Sequence, residues 1–446
     1  MSGVSIDLAS GRIAGVYWRY TLPTVTAMVV SGLYHLVDGV FIGRIIGSEG
    51  LAAISMAWPW IGFLTGMGLM IGVGAGAHCS IAQGEGNLSR ARQFLIQALW
   101  LLALVGVAAG LMVVGCRDSL MLLQGADESV HLKGSQYLLV IGWFSPLVLA
   151  SIAMPILVRN LGAPFLATTM MLVGGGANIA LDYLFIVELS WGLQGAAIAT
   201  VIGQLISAVI GLIFLWSGYS TLPLKRSWKW VKLESLICRD ISINGFSSLL
   251  MYSYIGFTVI LHNTTLAYYG GVVDVAAYTI AGYLMVIYYM LAEGMAGGIQ
   301  PLVSYFQGVG RQDAIKKVFS IALFSVLGSG MLFVILIFIF PHAATRVFIH
   351  TVDPLLEAAA VSAVRLHLFA VPLEGFLILV AAYFQAIGKG KKAITITLGN
   401  MCIQVPFLFI LAPLMGVKGI LLVLPVSTII LAIVVAFAFR RQFREQ

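Results

Sequence analysis

Apolar runs long enough to cross a bilayer fill most of this 446-residue chain. A backbone in lipid finds no water for its N–H and C=O groups, so a spanning run must satisfy them within itself. About 20 apolar residues in a helix match the ~30 Å hydrocarbon core. Windows of that kind can be drawn twelve times, over 16–46, 51–82, 93–116, 135–159, 164–188, 194–217, 240–268, 275–307, 317–340, 361–386, 391–414 and 417–439. Hydrophobic residues make up 60% of the chain and charged residues 10%, with a mean hydropathy of +1.00. No soluble globular composition looks like this. Residues 1–15 lack the apolar run of a signal peptide, so the first span itself is expected to target the chain.

The windows fall into two copies at an offset of 224 residues. Gln83-Gly84-Glu85-Gly86 recurs as Gln307-Gly308-Val309-Gly310, Leu51-Ala52-Ala53 as Val275-Ala276-Ala277, and Gly192/Gly195 as Gly416/Gly419. Six spans per copy give both copies the same orientation, a parallel repeat about an axis along the membrane normal. The fold class expected is all-α and integral to the membrane, with twelve transmembrane helices in two six-helix bundles related by a pseudo-two-fold. The division expected is an N-terminal lobe over 1–217, a basic linker over 218–240 and a C-terminal lobe over 241–446. The linker carries Trp228 and Trp230, as an amphipathic stretch at a membrane surface would.

The net charge of +7 does not mark a nucleic-acid surface, because the 25 Lys and Arg lie almost wholly in short connections between spans. With the N-terminus inside, only Arg44, Arg117, Lys133, Arg346, Arg365 and Lys418 fall outside. The positive-inside rule then puts both termini in the cytoplasm of a cell, the inner membrane of a bacterium. Cys79, Cys116, Cys238 and Cys402 lack the spacing of a disulfide framework or zinc site and read as core thiols.

Ionisable side chains inside a span are costly and usually functional. Asp38, Asp182, Glu293 and Glu374 are the acids that fall there. Asp38 sits about seven residues before the outer end of the first span, roughly 10 Å deep at 1.5 Å per residue. Asp182 is about six residues, or roughly 9 Å, from the outer end of the fifth, and Thr200 is as deep in the sixth. Asn178 lies one turn from Asp182 on the same face. Four oxygen-bearing side chains therefore share one layer in the outer half of the first copy. In the second copy Asp38 is matched by His262 and, with two residues inserted, Asp182 by Leu408.

Such a set can supply hard oxygen ligands to sodium, or hold a carboxylate that exchanges a proton near neutral pH. His35, three residues from Asp38, suits a proton relay. Hydrogen bonding between neighbouring helices is the plainer reading for Asn178 and Thr200 alone. Two acids at one depth are harder to explain that way. Glu374, after Pro372, and Glu293, beside Gly294, Gly297 and Gly298, either face a central cavity or satisfy a broken helix locally. Tyr34 and Gln300 are further candidates for that cavity. The glycines of the second span and Gly174-Gly175-Gly176 read as close packing, the triplet also as a bend.

The stretch Asn178-Ile-Ala-Leu-Asp182-Tyr-Leu-Phe-Ile186, followed by Gly192-Leu-Gln-Gly195-Ala-Ala-Ile-Ala-Thr200, resembles the multidrug and toxic compound extrusion (MATE) family. So do Leu22-Pro23, Tyr34-His-Leu-Val-Asp38-Gly-Val-Phe-Ile-Gly43, Gln300-Pro301 with Tyr305-Phe-Gln-Gly308, and Tyr383-Phe-Gln-Ala-Ile-Gly388. The resemblance covers nearly the whole chain and is nearest to bacterial and archaeal members with a cation site in the N-terminal lobe. It implies a monomeric, cation-coupled antiporter that exports amphipathic, often cationic compounds by alternating access. No cofactor is implied beyond a coupling proton or sodium ion. The family's cation site carries over to Asp38, Asn178, Asp182 and Thr200. His35 departs from the pattern, since related chains often have Asn there.

A lipid-linked-precursor flippase is the alternative, and it calls for several basic residues in the cavity. Position along the chain places no Arg or Lys deep in a span, which argues against it. A membrane prenyl transferase needs clustered aspartates for magnesium, and no D-x-x-D is present. An enzyme is therefore not expected, and nothing suggests the charge ring of a channel.

Overall fold

The structure, a computed structural model, describes residues 13–224, 232–348 and 354–445. Among these residues the chain is helical throughout, without strands. The helices are α1 (Ile13–Phe41), α2 (Ser48–Gly84), α3 (Leu88–Leu123), α4 (Glu128–Trp143), α5 (Ser145–Asn160), α6 (Pro164–Asp182), α7 (Gly192–Trp216) and α8 (Ser235–Tyr269). They continue as α9 (Val272–Val309), α10 (Gln312–Ile339), the short α11 (Pro341–Arg346), α12 (Pro354–Leu368), α13 (Val371–Ala386), α14 (Gly390–Met415) and α15 (Val417–Glu445). Ten are long and apolar enough to cross a membrane, and the total is twelve when each of two bent pairs counts as one span.

Those two pairs are the fourth and tenth spans, the tenth breaking beside Pro372, where a bend is expected from sequence, and the fourth breaking in the same way. α4 and α5 bend by 63° around Phe144, and α12 and α13 by 42° around Phe369-Ala370. Each second half opens with a proline one residue in, Pro146 and Pro372. Proline has no N–H to continue the ladder, so a helix ends and restarts there. The Gly174-Gly175-Gly176 triplet, by contrast, does not break its helix; α6 runs through it.

The repeat extends to individual contacts. The left-handed turn residues Gly86 (φ 76°) and Gly192 (φ 57°) are matched by Gly310 (φ 80°) and Gly416 (φ 58°). Gly106 lies against Pro146 as Gly330 lies against Pro372. The Ser80 hydroxyl donates to the Asn160 carbonyl at 3.2 Å, and that of Ser304 donates to the Ala386 carbonyl at 2.8 Å. Thus the offset is 224 through the third span, 226 at the bent pair, where two residues are inserted, and 224 again at Gly192 and Gly416.

The two bundles meet through α2 against α8 and α9 against α1. A side chain on Gly74 would collide with the Ile241 carbonyl, and one on Gly298 would lie 2.6 Å from Thr21 Cα. At the ends of α2 and α9, Gly84 and Gly308 press together backbone to backbone. Small residues let helices approach closely where lipid offers no hydrophobic drive to association. One apolar core runs through the first copy from Ile42 and takes in Ile241 and Leu249 of α8. The second copy has two, one of which takes in Tyr17 and Tyr20 of α1. All four cysteines are free thiols. Of the basic linker, residues 225–231, with Lys225, Arg226, Trp228, Lys229 and Trp230, lie outside the described residues, as does Arg12.

Candidate functional site

The first-copy acids sit where two helices lose their regular winding. α1 widens into a π turn over Ile42–Ile46, four residues past Asp38, and α6 does so over Tyr183–Glu188, directly after Asp182. The two π turns touch each other. Such turns insert a residue into the helical ladder and are frequent at functional sites.

Packing of glycine on glycine brings the partners together. Gly174 of α6 and Gly203 of α7 leave each other so little room that a Cβ on either would lie 2.8 or 2.6 Å from the opposite carbonyl. One turn further along α6, Asn178 Nδ2 donates to Thr200 Oγ1 of α7 at a long 3.5 Å. The Thr200 hydroxyl itself donates to the Ala196 carbonyl at 2.9 Å, as threonines in helices do. Asp182 is fully buried and Asp38 is 9% exposed. Asp38 lies close enough for its charge to act on Asp182.

Asp38 Oδ1, Asn178 Oδ1 and both carboxylate oxygens of Asp182 are buried without a well-formed hydrogen bond among the described residues, with the Asn178 amide near enough to act on the Asp182 charge. Buried oxygens are normally satisfied. Two carboxylates in one low-dielectric pocket are tolerable only with a proton on one or a cation beside them. The donor set is all oxygen, which suits a hard cation. Tyr34 and His35 belong to α1, but their side chains lie outside the described residues.

A second concentration of polar groups lines a cleft between the bundles, about 1090 Å³ counted to its open mouth. Glu293, Glu374 and Gln300 all face it. The Tyr252 hydroxyl donates to the Glu293 carboxylate at 3.3 and 3.4 Å. Glu374 occupies the first turn of α13, just past the break, and is held from three other helices. Its carboxylate accepts from the Tyr289 hydroxyl at 3.1 Å, from Asn400 Nδ2 at 3.2 Å and from the Thr428 hydroxyl. Glu374 thus borders the cleft beside the helix break while remaining buried, and its neighbours satisfy both of its oxygens. Gln300 ties the bundles together, donating to the Val73 carbonyl and accepting from Asn160 Nδ2, each at 3.1 Å.

Arg159 corrects the expectation that no basic residue reaches the interior. It is the penultimate residue of α5, where position along the chain groups it with the loop charges. The bend at Phe144 turns that end inward, and Arg159 lines the cleft at 5% exposure. A single cation is still fewer than a pyrophosphate headgroup calls for, and the other described lining residues include no Lys or Arg.

Comparison with known proteins fits this architecture. The MatE family model matches twice, over residues 23–184 and 246–410, once in each copy. The chain is 27% identical over 411 residues to the multidrug export protein MepA of Staphylococcus aureus, covering 90% of this chain and 88% of that one. Among solved structures, a MATE protein in its straight conformation superposes with a TM-score of 0.92 at 23% identity, over 100% of this chain and 99% of that one. An outward-facing multidrug resistance transporter of the same family gives 0.92 at 22% identity, over 100% and 98%.

Proposed function

The chain belongs to the MatE family, and from that premise we propose that it exports amphipathic, often cationic compounds across a cell membrane in exchange for inward-moving protons or sodium ions. The N-terminal lobe, residues 1–217, carries the coupling ion, and the C-terminal lobe, residues 241–446, completes the compound cleft. Both termini lie in the cytoplasm. In that orientation the glycine crossings lie at the cytoplasmic side and the cleft faces out.

One observation carries the reading: two buried carboxylates, Asp38 and Asp182, act on each other with three unpartnered oxygens between them. Each stands just before a π turn, so the helices around them can rewind as the charge changes. An external cation or proton entering this pocket removes the repulsion between the acids and draws α1 toward α6 and α7. Only a ligand that binds one state better than the other can shift the population. The pocket and the cleft share α1, so ion entry reshapes one wall of the cleft and favours release of the compound to the outside. Asn178 and Thr200 complete the oxygen shell.

The test is export by proteoliposomes under proton and sodium gradients imposed separately. Asp38→Asn and Asp182→Asn are expected to abolish gradient-driven export while both proteins remain folded. Undiminished export by both variants would overturn the assignment. Whichever gradient drives the unaltered protein identifies the ion.

A further inference from the structure

The second copy serves as an internal control for Arg159. At the offset of 226, Arg159 corresponds to Gln385, and at 224 Thr24 corresponds to Ser248. Both pairs are bonded in the same way. Arg159 Nη1 donates to Thr24 Oγ1 at 3.3 Å, and Gln385 Nε2 donates to Ser248 Oγ at 3.0 Å. Gln385 Nε2 also donates to the Asn244 carbonyl at 3.2 Å. A neutral amide therefore does the structural work at this position, and does it with its donors used.

The guanidinium does more than packing asks. It is 5% exposed, its Nε has no acceptor, and among the described residues no carboxylate lies within ion-pair distance. Glu293 is the acid whose charge reaches it, and that carboxylate is bonded to Tyr252. Burying a guanidinium without a counter-ion costs several kcal/mol as a rule. Arg159 lines the cleft, within reach of an anion bound there.

We propose that Arg159 is the subsite for a carboxylate carried by the transported compound, so that the cleft selects zwitterionic amphipaths. This rests on the export reading above. A planar guanidinium matches a carboxylate through two parallel hydrogen bonds. Met28, Leu69, Ile156, Met251, Leu377 and Ile378 give the body of the compound an apolar wall. Its amine is left to Glu293 and Glu374, with the rings of Tyr252, Tyr254 and Tyr289 nearby.

The experiment compares two probes in proteoliposomes: a rhodamine bearing an amine and a free carboxylate, and its methyl ester, a plain cation. The unaltered protein is expected to favour the acid over the ester in kcat/KM. Arg159→Gln installs the residue that the second copy uses and is expected to lower the acid-to-ester ratio about tenfold or more, as loss of a charge-assisted hydrogen bond does. Arg159→Lys keeps the charge without the fork and should fall between. Thermal unfolding of each variant verifies folding. An acid-to-ester ratio that Arg159→Gln leaves unchanged, whether both rates fall together or neither does, overturns the proposal while leaving export intact. Failure of the unaltered protein to export either probe under any gradient sinks the export reading and this inference with it.

Discussion

Gly84 and Gly308 occupy the same position in the two copies and face each other across the bundle interface, each with the other's Cα about 3 Å from where its own Cβ would be. One close approach between the lobes is thus made by a residue and its own repeat equivalent. Any motion that opens this end of the molecule must part these two glycines.

Gly84→Leu is therefore expected to drive the lobes apart at this crossing. Overpacking a tight contact costs about 1–3 kcal/mol. The cost falls only on the state with the crossing closed, so the variant should populate the opposite state more. Spin-label distances between the ends of α2 and α9 should lengthen, with a lower unfolding temperature in the closed state.

Gln300→Ala removes both cross-lobe hydrogen bonds to Val73 and Asn160. Truncating one partner of a buried pair costs about 1–3 kcal/mol. A lower melting temperature in detergent is the expected reading. Gln300→Glu should be worse, since the Val73 carbonyl then faces a carboxylate.

Asp182→Asn should separate stability from function. Both oxygens of this fully buried carboxylate lack a well-formed hydrogen bond. A neutral side chain of the same shape relieves the cost of burying an unpaired charge, which is several kcal/mol per ion as a rule. The variant is expected to melt higher than the unaltered protein in ion-free buffer and to lose ion-driven export. Melting below the unaltered protein would mean that the carboxylate is paired after all.

Glu374→Gln probes the cage in the second lobe. An amide oxygen in the Oε2 position can still accept from Tyr289 and Asn400, but its NH2 group then meets the Thr428 hydroxyl, which has to turn and accept, and both remaining bonds lose the carboxylate charge. Expected are a loss of about 1–3 kcal/mol in stability, read by thermal unfolding, and a raised KM for cationic compounds, read by transport.

Sequence alone carried the spans, the repeat and the depth of the acids. Lipid leaves the backbone one solution over each apolar run, and a fixed rise per residue turns chain position into depth. Asp38, Asn178, Asp182 and Thr200 are expected in one layer for that reason; of that set the structure bonds Asn178 to Thr200 and brings Asp38 near enough to act on Asp182. Depth does not give rotation about a helix axis or the identity of the neighbour. Those come from tertiary packing: Gly174 on Gly203 turns α6 toward α7, and three helices converge on Glu374.

Arg159 shows the limit most plainly. Its place near a span end reads as a loop charge, because chain position measures distance along the membrane normal and assumes a straight helix. The 63° bend at Phe144 breaks that assumption and carries the guanidinium into the cleft. What the sequence determined is everything fixed by local hydrogen bonding in lipid: helix, length, repeat and depth. What only the tertiary structure decided is which faces meet, since that depends on side-chain shape summed over many neighbours at once.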